Sequence, residues 1–217
     1  MLNRLTYIKS KLLSKIARNN NEIIYRIGLS AIAAARVSYP KLSRLEQADT
    51  KVFSQYGEDG IIDFIIEKLG ISKPTFIEIG TQDYSESNTR FLFQRTNTKG
   101  LIIDGDPALA DKSRKVLGDY YWKGDLTALS AFVTRNNIVK LLSQENDNWM
   151  DFDIFSLDID GNDYWIMKEI ISLCRNKLII LEYNSYFGPS ARVSTPYQED
   201  FYRTDYHYSN LCWGASL

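Results

Sequence analysis

The stretch DIFSLDIDGNDYW, residues 153–165, sets several carboxylates directly after an apolar run. Ionised carboxylates that lose water without a partner carry a large free-energy cost, so these residues need a reason to be there. Together with Glu182 and Asn184, which end a later apolar run, Asp158 and Asp160 offer the oxygen ligands that Mg²⁺, Mn²⁺ and Ca²⁺ prefer. Alternatively, Asp158 or Asp160 is a general base, and Glu182 and Asn184 orient an acceptor. Both interpretations are kept open.

The positions of the three aspartates in the chain limit which of their carboxylates can lie close together. Asp158 and Asp160 alternate along the end of a predicted strand, so their side chains leave opposite faces unless the chain turns at Gly161. Asp163 is predicted to cap a helix that begins at Tyr164.

Few other residues have the types that catalysis or metal binding needs. His207 is the only histidine and a chemically suitable base, so it is a further catalytic candidate. The two cysteines, Cys174 and Cys212, lack the spacing of a zinc site or of a disulfide framework.

From residue 53 onward, apolar runs that read as strands alternate with amphipathic runs that read as helices. The predicted strands are 75–80, 100–106, 153–159 and 177–183, with 120–126 either a strand or a loop, and the predicted helices are 57–70, 87–96, 108–117, 129–144 and 164–174. Repeated βα units of this kind predict an α/β fold with a mostly parallel, doubly wound sheet and helices on both faces.

Residues 1–48 are predicted to be a basic helical extension. Residues 1–45 carry nine Lys and Arg and a single acid, whereas the whole chain has a net charge of −1. We expect a first helix, an interruption at ARNNNE (17–22) and a second helix over 22–37. Residues 1–40 then pack on their own domain or a partner subunit, lie on a membrane surface, or stay disordered. Either a homo-oligomer or a peripheral contact with the inner face of the membrane fits this segment.

The rest of the chain is acidic, which argues against a nucleic-acid partner because phosphate neutralisation needs clustered Lys and Arg. No apolar run approaches the roughly 20 residues that span a bilayer. We therefore expect a cytoplasmic protein.

Ligands of open parallel sheets bind beyond the carboxyl ends of the strands. Each predicted strand ends in an acid or a polar cluster, and these are Glu78 with Gly80, Asp104 with Asp106, Asp125, Asp158 with Asp160, and Glu182 with Asn184. Five such ends in register predict a ligand site.

Individual strand ends indicate what the ligand is. Gly80 lets the backbone approach a ligand closely, but the loop is not GxGxxG, so it suits a cofactor without phosphates better than a dinucleotide. Asp104 follows at roughly the 20-residue distance at which nucleotide-binding folds place a carboxylate on the ribose hydroxyls. Asp106 either joins it or caps the next helix. Asp125 contacts an adenine amino group or lies in a plain turn.

From residue 53 to its end, the chain resembles the FkbM-like class of S-adenosylmethionine-dependent methyltransferases, in particular bacterial members linked to surface-polysaccharide genes. The matching stretches are FSQYGEDGII, FIEIGTQDYSESNT, GLIIDGDP, SLDIDGNDYW and LEYNSYFGPS. The resemblance implies a Rossmann-like class I methyltransferase domain over 49–217. Its activity would be O-methyl transfer to a hydroxyl, or a phosphate-type substituent, of a carbohydrate or nucleotide-sugar acceptor, with help from Mg²⁺ or Mn²⁺ if a metal is used.

The resemblance also implies residue roles. Glu78, Gly80 and the loop after them would hold the methionine part of the cofactor, Asp104 its ribose, and Asp125 would lie near adenine. The expected cofactor contacts are Gln55, Tyr56, Glu78, Gly80, Thr81, Gln82, Asp83, Asn88, Asp104, Asp106, Asp125, Leu126 and Asp158.

The chain departs from the family pattern in two places. Tyr84 stands where the family usually has Gly, which is expected to reshape the methionine pocket. The chain also stops where the family runs on through a helix and two more strands, so a truncated chain is expected.

Two other functions compete with methyl transfer. DID, residues 158–160, is a DxD sequence of the kind that holds a metal on a nucleotide-sugar diphosphate, which would make the protein a glycosyltransferase. A degenerate domain that acts as a scaffold through its basic helices is the non-enzymatic alternative. In the methyltransferase interpretation, the polar and aromatic segment 182–202 supplies the acceptor surface.

Overall fold

A five-stranded, all-parallel sheet organises the fold. The computed structural model describes residues 2–118 and 124–217. The strands are β1 (Phe76–Ile79), β2 (Gly100–Asp104), β3 (Leu126–Ser130), β4 (Ile154–Leu157) and β5 (Leu178–Leu181), in the spatial order β3-β2-β1-β4-β5. Helices flank the sheet, and the predicted α/β, Rossmann-like fold class is confirmed.

The burial of the strands follows their position in the sheet. β1 and β4 are buried along their whole length, and β2 is buried up to its last residue, Asp104. The edge strands β3 and β5 are only partly buried. Central parallel strands are covered on both faces, which is why the sequences of β1, β2 and β4 read as nearly continuous apolar runs.

The helices largely follow the amphipathic runs of the sequence. They are α1 (Leu2–Arg36), α2 (Glu58–Leu69), α3 (Arg90–Thr96), α4 (Leu109–Leu117), α5 (Ile138–Glu145), α6 (Asp163–Ile170) and α7 (Arg203–Tyr206). Short 3₁₀ turns occur at Tyr39–Lys41, Leu45–Ala48, Trp149–Asp151 and Ser185–Phe187. Gly70 ends α2 in a left-handed conformation, as its sequence position predicts.

The expected interruption of the first helix is wrong, because α1 runs through residues 17–22 without a break. Asparagine lowers helix stability by less than about 0.7 kcal/mol relative to alanine, so three in a row do not end a long helix. The apolar side chains at residues 2, 5, 8 and 12, whose three- and four-residue spacing predicts the first helix, lie outside the described ones.

The third strand lies later in the chain than 120–126, the segment expected to be either a strand or a loop. Residues 120–123 lie outside the described part of the chain, and β3 begins at Leu126. The predicted helix from 129 instead begins at Ile138, because Leu129 and Ser130 pair with β2. The Asn137 side chain then bridges the turn before α5, accepting from the Thr134 N–H.

One compact unit of the chain is mostly helical. This helical unit comprises Met1–Lys73, Asp83–Asn97 and Asp111–Asp125. Its apolar core includes Ile32, Val52, Phe53 and Phe91, with a second cluster around Tyr39 and Phe64.

The second unit, the sheet unit, comprises Pro74–Gln82, Thr98–Ala110 and Leu126–Leu217. Its core packs β1, β2 and β4 against α5, α6 and Trp149. The division into a 1–48 extension and a 49–217 methyltransferase domain stays a prediction.

The pairing of β1 with β4 is the point where the strand order reverses. The chain passes from β1 to β2 and β3 on one side and then returns to place β4 on the other. At this switch point Gly80 has φ +87°, and a Cβ there would lie 1.6 Å from the Asp158 carbonyl oxygen. Only glycine allows the chain leaving β1 to pass so close to the chain leaving β4.

We expect Gly80→Ala to destabilise the protein much more than Gly188→Ala. Gly188 also has a positive φ, +70°, but no atom lies within 4 Å of the place that a Cβ would take, so alanine there adds only backbone strain of about 1–3 kcal/mol. Gly80→Ala adds a backbone clash, which costs a further ~1–3 kcal/mol. Urea unfolding of both variants measures the difference. Equal losses would show that Gly80 is not tightly enclosed.

Candidate functional site

Four chain positions lie side by side at the carboxyl edge of the sheet. The Gly80 N–H donates to the next-to-last carbonyl of β2 (2.9 Å), and the Asp158 N–H donates to the last carbonyl of β1 (3.0 Å). The Glu182 N–H donates to the last carbonyl of β4 (3.2 Å), and Asp104 is the final residue of β2. Asp104, Gly80, Asp158 and Glu182, called here the tip row, are therefore neighbours in that order.

Asp104 holds two loops of the tip row. One carboxylate oxygen accepts the N–H of Gln82 (2.7 Å), and the other accepts the N–H of Asp106 (2.9 Å). Each carboxylate oxygen has a second lone pair, so contact with a ribose hydroxyl is compatible with both bonds. Asp106 in turn accepts the N–H of Ala108 (2.8 Å), which precedes the first residue of α4, so this bond closes a turn outside the helix and both alternatives for Asp106 stay predictions.

Two polar residues of the β1 end are buried. Glu78 lies within β1, two residues before Gly80, and is 4 % exposed. The Thr81 hydroxyl, directly after Gly80, is buried and has no hydrogen-bond partner among the described residues. Buried hydroxyls nearly always have a partner, so this oxygen marks a place where a ligand or a water belongs.

Asp158, Asp160 and Glu182 form an acidic cluster. One carboxylate oxygen from each lies within 4.8 Å of the other two. Asp160 has φ +58°, and this left-handed residue turns the chain and brings the two aspartates together. The chain bends over residues 160–162, so the turn expected at Gly161 is present. Gly161 is also tightly packed, since a Cβ there would lie 2.2 Å from the Phe201 ring.

Asp163 supports the turn from beneath. Its two oxygens accept the N–H groups of Ile159 (2.8 Å) and Gly161 (2.9 Å), on either side of Asp160. The predicted helix-cap role is wrong, because the residue before α6 is Asn162 and Asp163 is the first residue of the helix. Burial raises the pKa of Asp163 to about 6, against the opposing effect of these hydrogen bonds.

Glu182 is the group whose ionisation is most disfavoured in the cluster. Burial raises its pKa well above the ordinary range, and the negative charge of Asp158 raises it further. Its Oε2 atom is buried and has no hydrogen-bond partner in the described part of the chain. The cluster therefore favours a proton, or another positive charge, between Glu182 and Asp158.

Arg203 is a member of the site that sequence reasoning missed. Its guanidinium forms an ion pair with Asp160, and its Nε donates to the Asn210 carbonyl (3.1 Å). The guanidinium carbon also lies 4.6 Å from the centre of the Trp213 ring. Arg203 and Asp160 are 43 residues apart, so no local pattern connects them.

Asn184 is buried and anchors the C-terminal segment to the end of β5. Its Nδ2 donates to the carbonyls of Leu211 (2.8 Å) and Trp213 (2.9 Å), and its Oδ1 accepts the Tyr186 N–H (3.0 Å). These contacts are structural, and the predicted role of Asn184 in orienting an acceptor stays a prediction.

His207 lies in the loop after α7. Its Nδ1 accepts the Ser209 N–H (3.2 Å), and its ring packs 4.3 Å from that of Tyr208. These contacts are local to the loop, so its role as a base stays a prediction.

The expectation that Asp125 ends a strand is wrong. Asp125 directly precedes β3 and Leu126 begins it, so both lie at its amino end, whereas Ser130 lies beside Asp104 at the carboxyl end. β3 is a partly exposed edge strand, and the sequence pattern did not fix its limits.

The remaining predicted cofactor residues belong to the helical unit. Gln55 and Tyr56 are exposed, Asn88 is half-buried, and Asp83 accepts the Ser85 N–H (2.9 Å). Their roles stay predictions.

Tyr84 stands where the family that the sequence resembles usually has Gly, and its backbone conformation is one that Gly favours. Tyr84 is buried with φ +65°, a conformation that glycine adopts without strain, and its hydroxyl lies 3.0 Å from that of Thr89. Tyrosine here adds a ring and a hydroxyl where glycine would leave space.

Comparison with protein-family models gives no match, and no curated protein matches the chain. Fold and geometry define a Rossmann-like α/β protein with an acidic site at the switch point of its sheet. The resemblance to the FkbM-like class stays a prediction from the sequence blocks.

We expect Glu182→Gln to weaken the pH dependence of stability. The raised pKa means that the stability contributed by protonated Glu182 is complete below about pH 4.5 and is lost as the pH rises through the raised value. Glutamine stays neutral, so the variant should lose less unfolding free energy than the wild type between acid and alkaline pH. Urea unfolding with a chelator present measures this.

The matched control is Glu145→Gln, the same change at the exposed end of α5. It should keep the wild-type pH dependence. A Glu182→Gln curve parallel to the wild-type curve would contradict the assigned ionisation.

Proposed function

We propose that the protein is an S-adenosylmethionine-dependent O-methyltransferase. Its acceptor is a hydroxyl, or a phosphate-type substituent, of a surface-polysaccharide sugar or of the activated precursor of that sugar. The observation that carries the proposal is the tip row, which gathers Gly80, Asp104, Asp158 and Glu182 at the switch point of the sheet.

Residues at the carboxyl ends of β1 and β2 support the proposed binding of the cofactor. Gly80 lets the backbone approach a ligand, and the loop lacks the further glycines that surround a pyrophosphate. The unpartnered Thr81 hydroxyl offers a hydrogen bond beside it. Asp104 offers carboxylate oxygens of the kind that accept from the two hydroxyls of a ribose.

Residues at the carboxyl ends of β4 and β5 support the proposed catalysis of methyl transfer. S-adenosylmethionine supplies an electrophilic methyl group on a sulfonium sulfur. Transfer of that methyl group to a hydroxyl oxygen would leave a neutral thioether and release the hydroxyl proton, which a residue of this chain would accept. Asp158 or Asp160 receives that proton as general base, and Glu182 orients the acceptor.

The acidic cluster also fits a divalent cation. Its three carboxylates have oxygens within 4.8 Å of one another, and the buried Oε2 of Glu182 lacks a partner among the described residues. Such hard oxygen ligands suit Mg²⁺ or Mn²⁺. Asp158, Asp160 and Glu182 would hold the ion, which would lower the pKa of a bound acceptor hydroxyl.

The acceptor side is formed by the aromatic segment after β5. Tyr183, Tyr186 and Tyr202 are exposed there, and the Tyr202 ring packs 5.8 Å from that of Phe132, which follows β3. Exposed aromatic faces with polar neighbours suit a sugar ring.

The proposed place of action is the cytoplasm, at or near the inner face of the membrane. Among the described residues, no helix combines the length and the apolar character needed to cross a bilayer.

We expect calorimetry to detect binding of both S-adenosylmethionine and S-adenosylhomocysteine. Asp104→Ala should weaken binding about tenfold or more, which corresponds to ~1.4 kcal/mol. Asp104→Asn keeps one of the two acceptors for the loop N–H groups and should weaken binding less than Asp104→Ala.

The matched control is Asp151→Ala. Asp151 lies before β4, at the opposite edge of the sheet, in an exposed ion pair with Arg175. This variant should bind like the wild type. If the folded wild type bound neither compound, the methyltransferase proposal would be wrong.

To test for a cation site, we expect Mn²⁺ to bind to the wild-type protein. Electron paramagnetic resonance should show this as a loss of the signal of free Mn²⁺. Asp158→Asn and Glu182→Gln should weaken binding, whereas Asp151→Asn should not. Arg203→Gln should strengthen it, because Arg203 is the positive charge already paired with Asp160. If wild type left the free Mn²⁺ signal unchanged, the carboxylates would act as general base and orienting groups without a metal.

A metal-dependent glycosyltransferase is the second candidate, favoured by the convergence of the Asp158 and Asp160 oxygens. It predicts that a nucleotide sugar binds in the presence of Mn²⁺ and that the adenosyl compounds do not. The same calorimetry decides between the two functions.

A further inference from the structure

Helix α1 carries an exposed apolar surface that its own unit does not cover. This surface, called here the α1 stripe, consists of Leu13, Ile16, Ile23, Ile24 and Ile27, whose exposed fractions run from 41 % to 64 %. At 3.6 residues per turn, the five side chains fall within an arc of about 100°.

The α1 stripe lies on the side of α1 away from the core of the helical unit. Tyr25, Leu29 and Ile32 pack on that core, and their helical positions lie on the opposite side of α1 from the stripe. The Tyr25 ring is 6.0 Å from that of Phe91, and the Tyr25 hydroxyl donates to the Gln94 carbonyl (3.1 Å). A partner helix can therefore reach the stripe without displacing the core.

We propose that the α1 stripe binds the α1 stripe of a second copy of this chain, so that the protein is a homodimer joined by a pair of long helices.

The spacing of the stripe fits a helix pair. Leu13, Ile16, Asn20, Ile23 and Ile27 follow one another at intervals of three, four, three and four residues, the spacing of the contact positions in a two-stranded coiled coil. A sequence with this spacing keeps one narrow face toward its partner helix along the whole contact.

Asn20 is the polar member of this spacing, and it favours a second copy over other partners. In a parallel pair of helices in register, Asn20 meets its own counterpart. Two asparagine amides can then donate to each other, as a single buried Asn does in coiled coils. Against lipid acyl chains, the same amide would be buried without a partner.

The charges around the stripe point the same way. Lys15 and Arg26 lie on one flank, more than about 100° from its centre, while Ala17 and Asn21 occupy the other flank. Arg26 is also paired with Glu22 (2.8 Å). Along residues 13–27, like charges therefore stay off the contact between two copies, whereas a helix lying on an anionic membrane has basic residues beside its apolar face.

The test is the mass of the full chain in solution, by analytical ultracentrifugation over a wide range of concentrations. Wild type should sediment at twice the 25.0 kDa of one chain. The double variant Ile16→Glu/Ile23→Glu should halve that mass, and circular dichroism should show its helix content kept. Asn19→Glu, an exposed change in the same helix outside the stripe, should leave the dimer intact.

Two results would overturn the proposal. One is a wild-type monomer at every concentration; the other is a dimer that the double variant does not dissociate. Flotation with vesicles of phosphatidylcholine and phosphatidylglycerol distinguishes the membrane alternative: a monomer that binds these vesicles through Ile16 and Ile23 would replace the second copy with a lipid surface.

Discussion

The candidate site depends on the parallel pairing of β1 with β4. This pairing joins the two directions of the doubly wound sheet, and it sets the end of β1 beside the end of β4. The contact is so close that position 80 has no room for a side chain. The groups of the tip row are fixed relative to this contact, either by strand register or by hydrogen bonds from the loops that leave the strands. The strand order therefore determines which chain positions meet at the site, and the side chains then determine its chemistry.

The same strand order brings the carboxylates of Asp158, Asp160 and Glu182 close together. Three carboxylates in a half-buried cluster repel one another, and the structure offsets the repulsion with several local interactions. Arg203 pairs with Asp160, burial favours a proton on Glu182, and Asp163 holds the turn with its hydrogen bonds to the backbone. A cluster arranged in this way favours a positive charge or a proton donor beside it. That is the property that a hydroxyl acceptor, a divalent cation or a sulfonium compound requires.

The sequence predicted what regular periodicity controls. The strand and helix alternation, the end of α2 at Gly70 and the placement of Asp104, Asp158 and Glu182 on one edge all follow from apolar patterns and from the alignment of parallel strands. It did not predict features that long-range contacts or single dihedral angles control. The left-handed φ of Asp160 is a single dihedral angle that periodicity does not report, although aspartate adopts it more often than most residues. Arg203 contacts Asp160 from 43 residues away.

Edge strands and long helices were the other weak points. β3 is half exposed, so its pattern did not separate strand from loop and placed Asp125 at the wrong end. The break expected in α1 gave too much weight to three asparagines inside a helix that continues on both sides of them.

The most direct test of the central claim is a crystal structure with S-adenosylhomocysteine. The account predicts its ribose hydroxyls within hydrogen-bond distance of Asp104 and its chain against the backbone of residues 80–82; a ligand bound away from the tip row would contradict it.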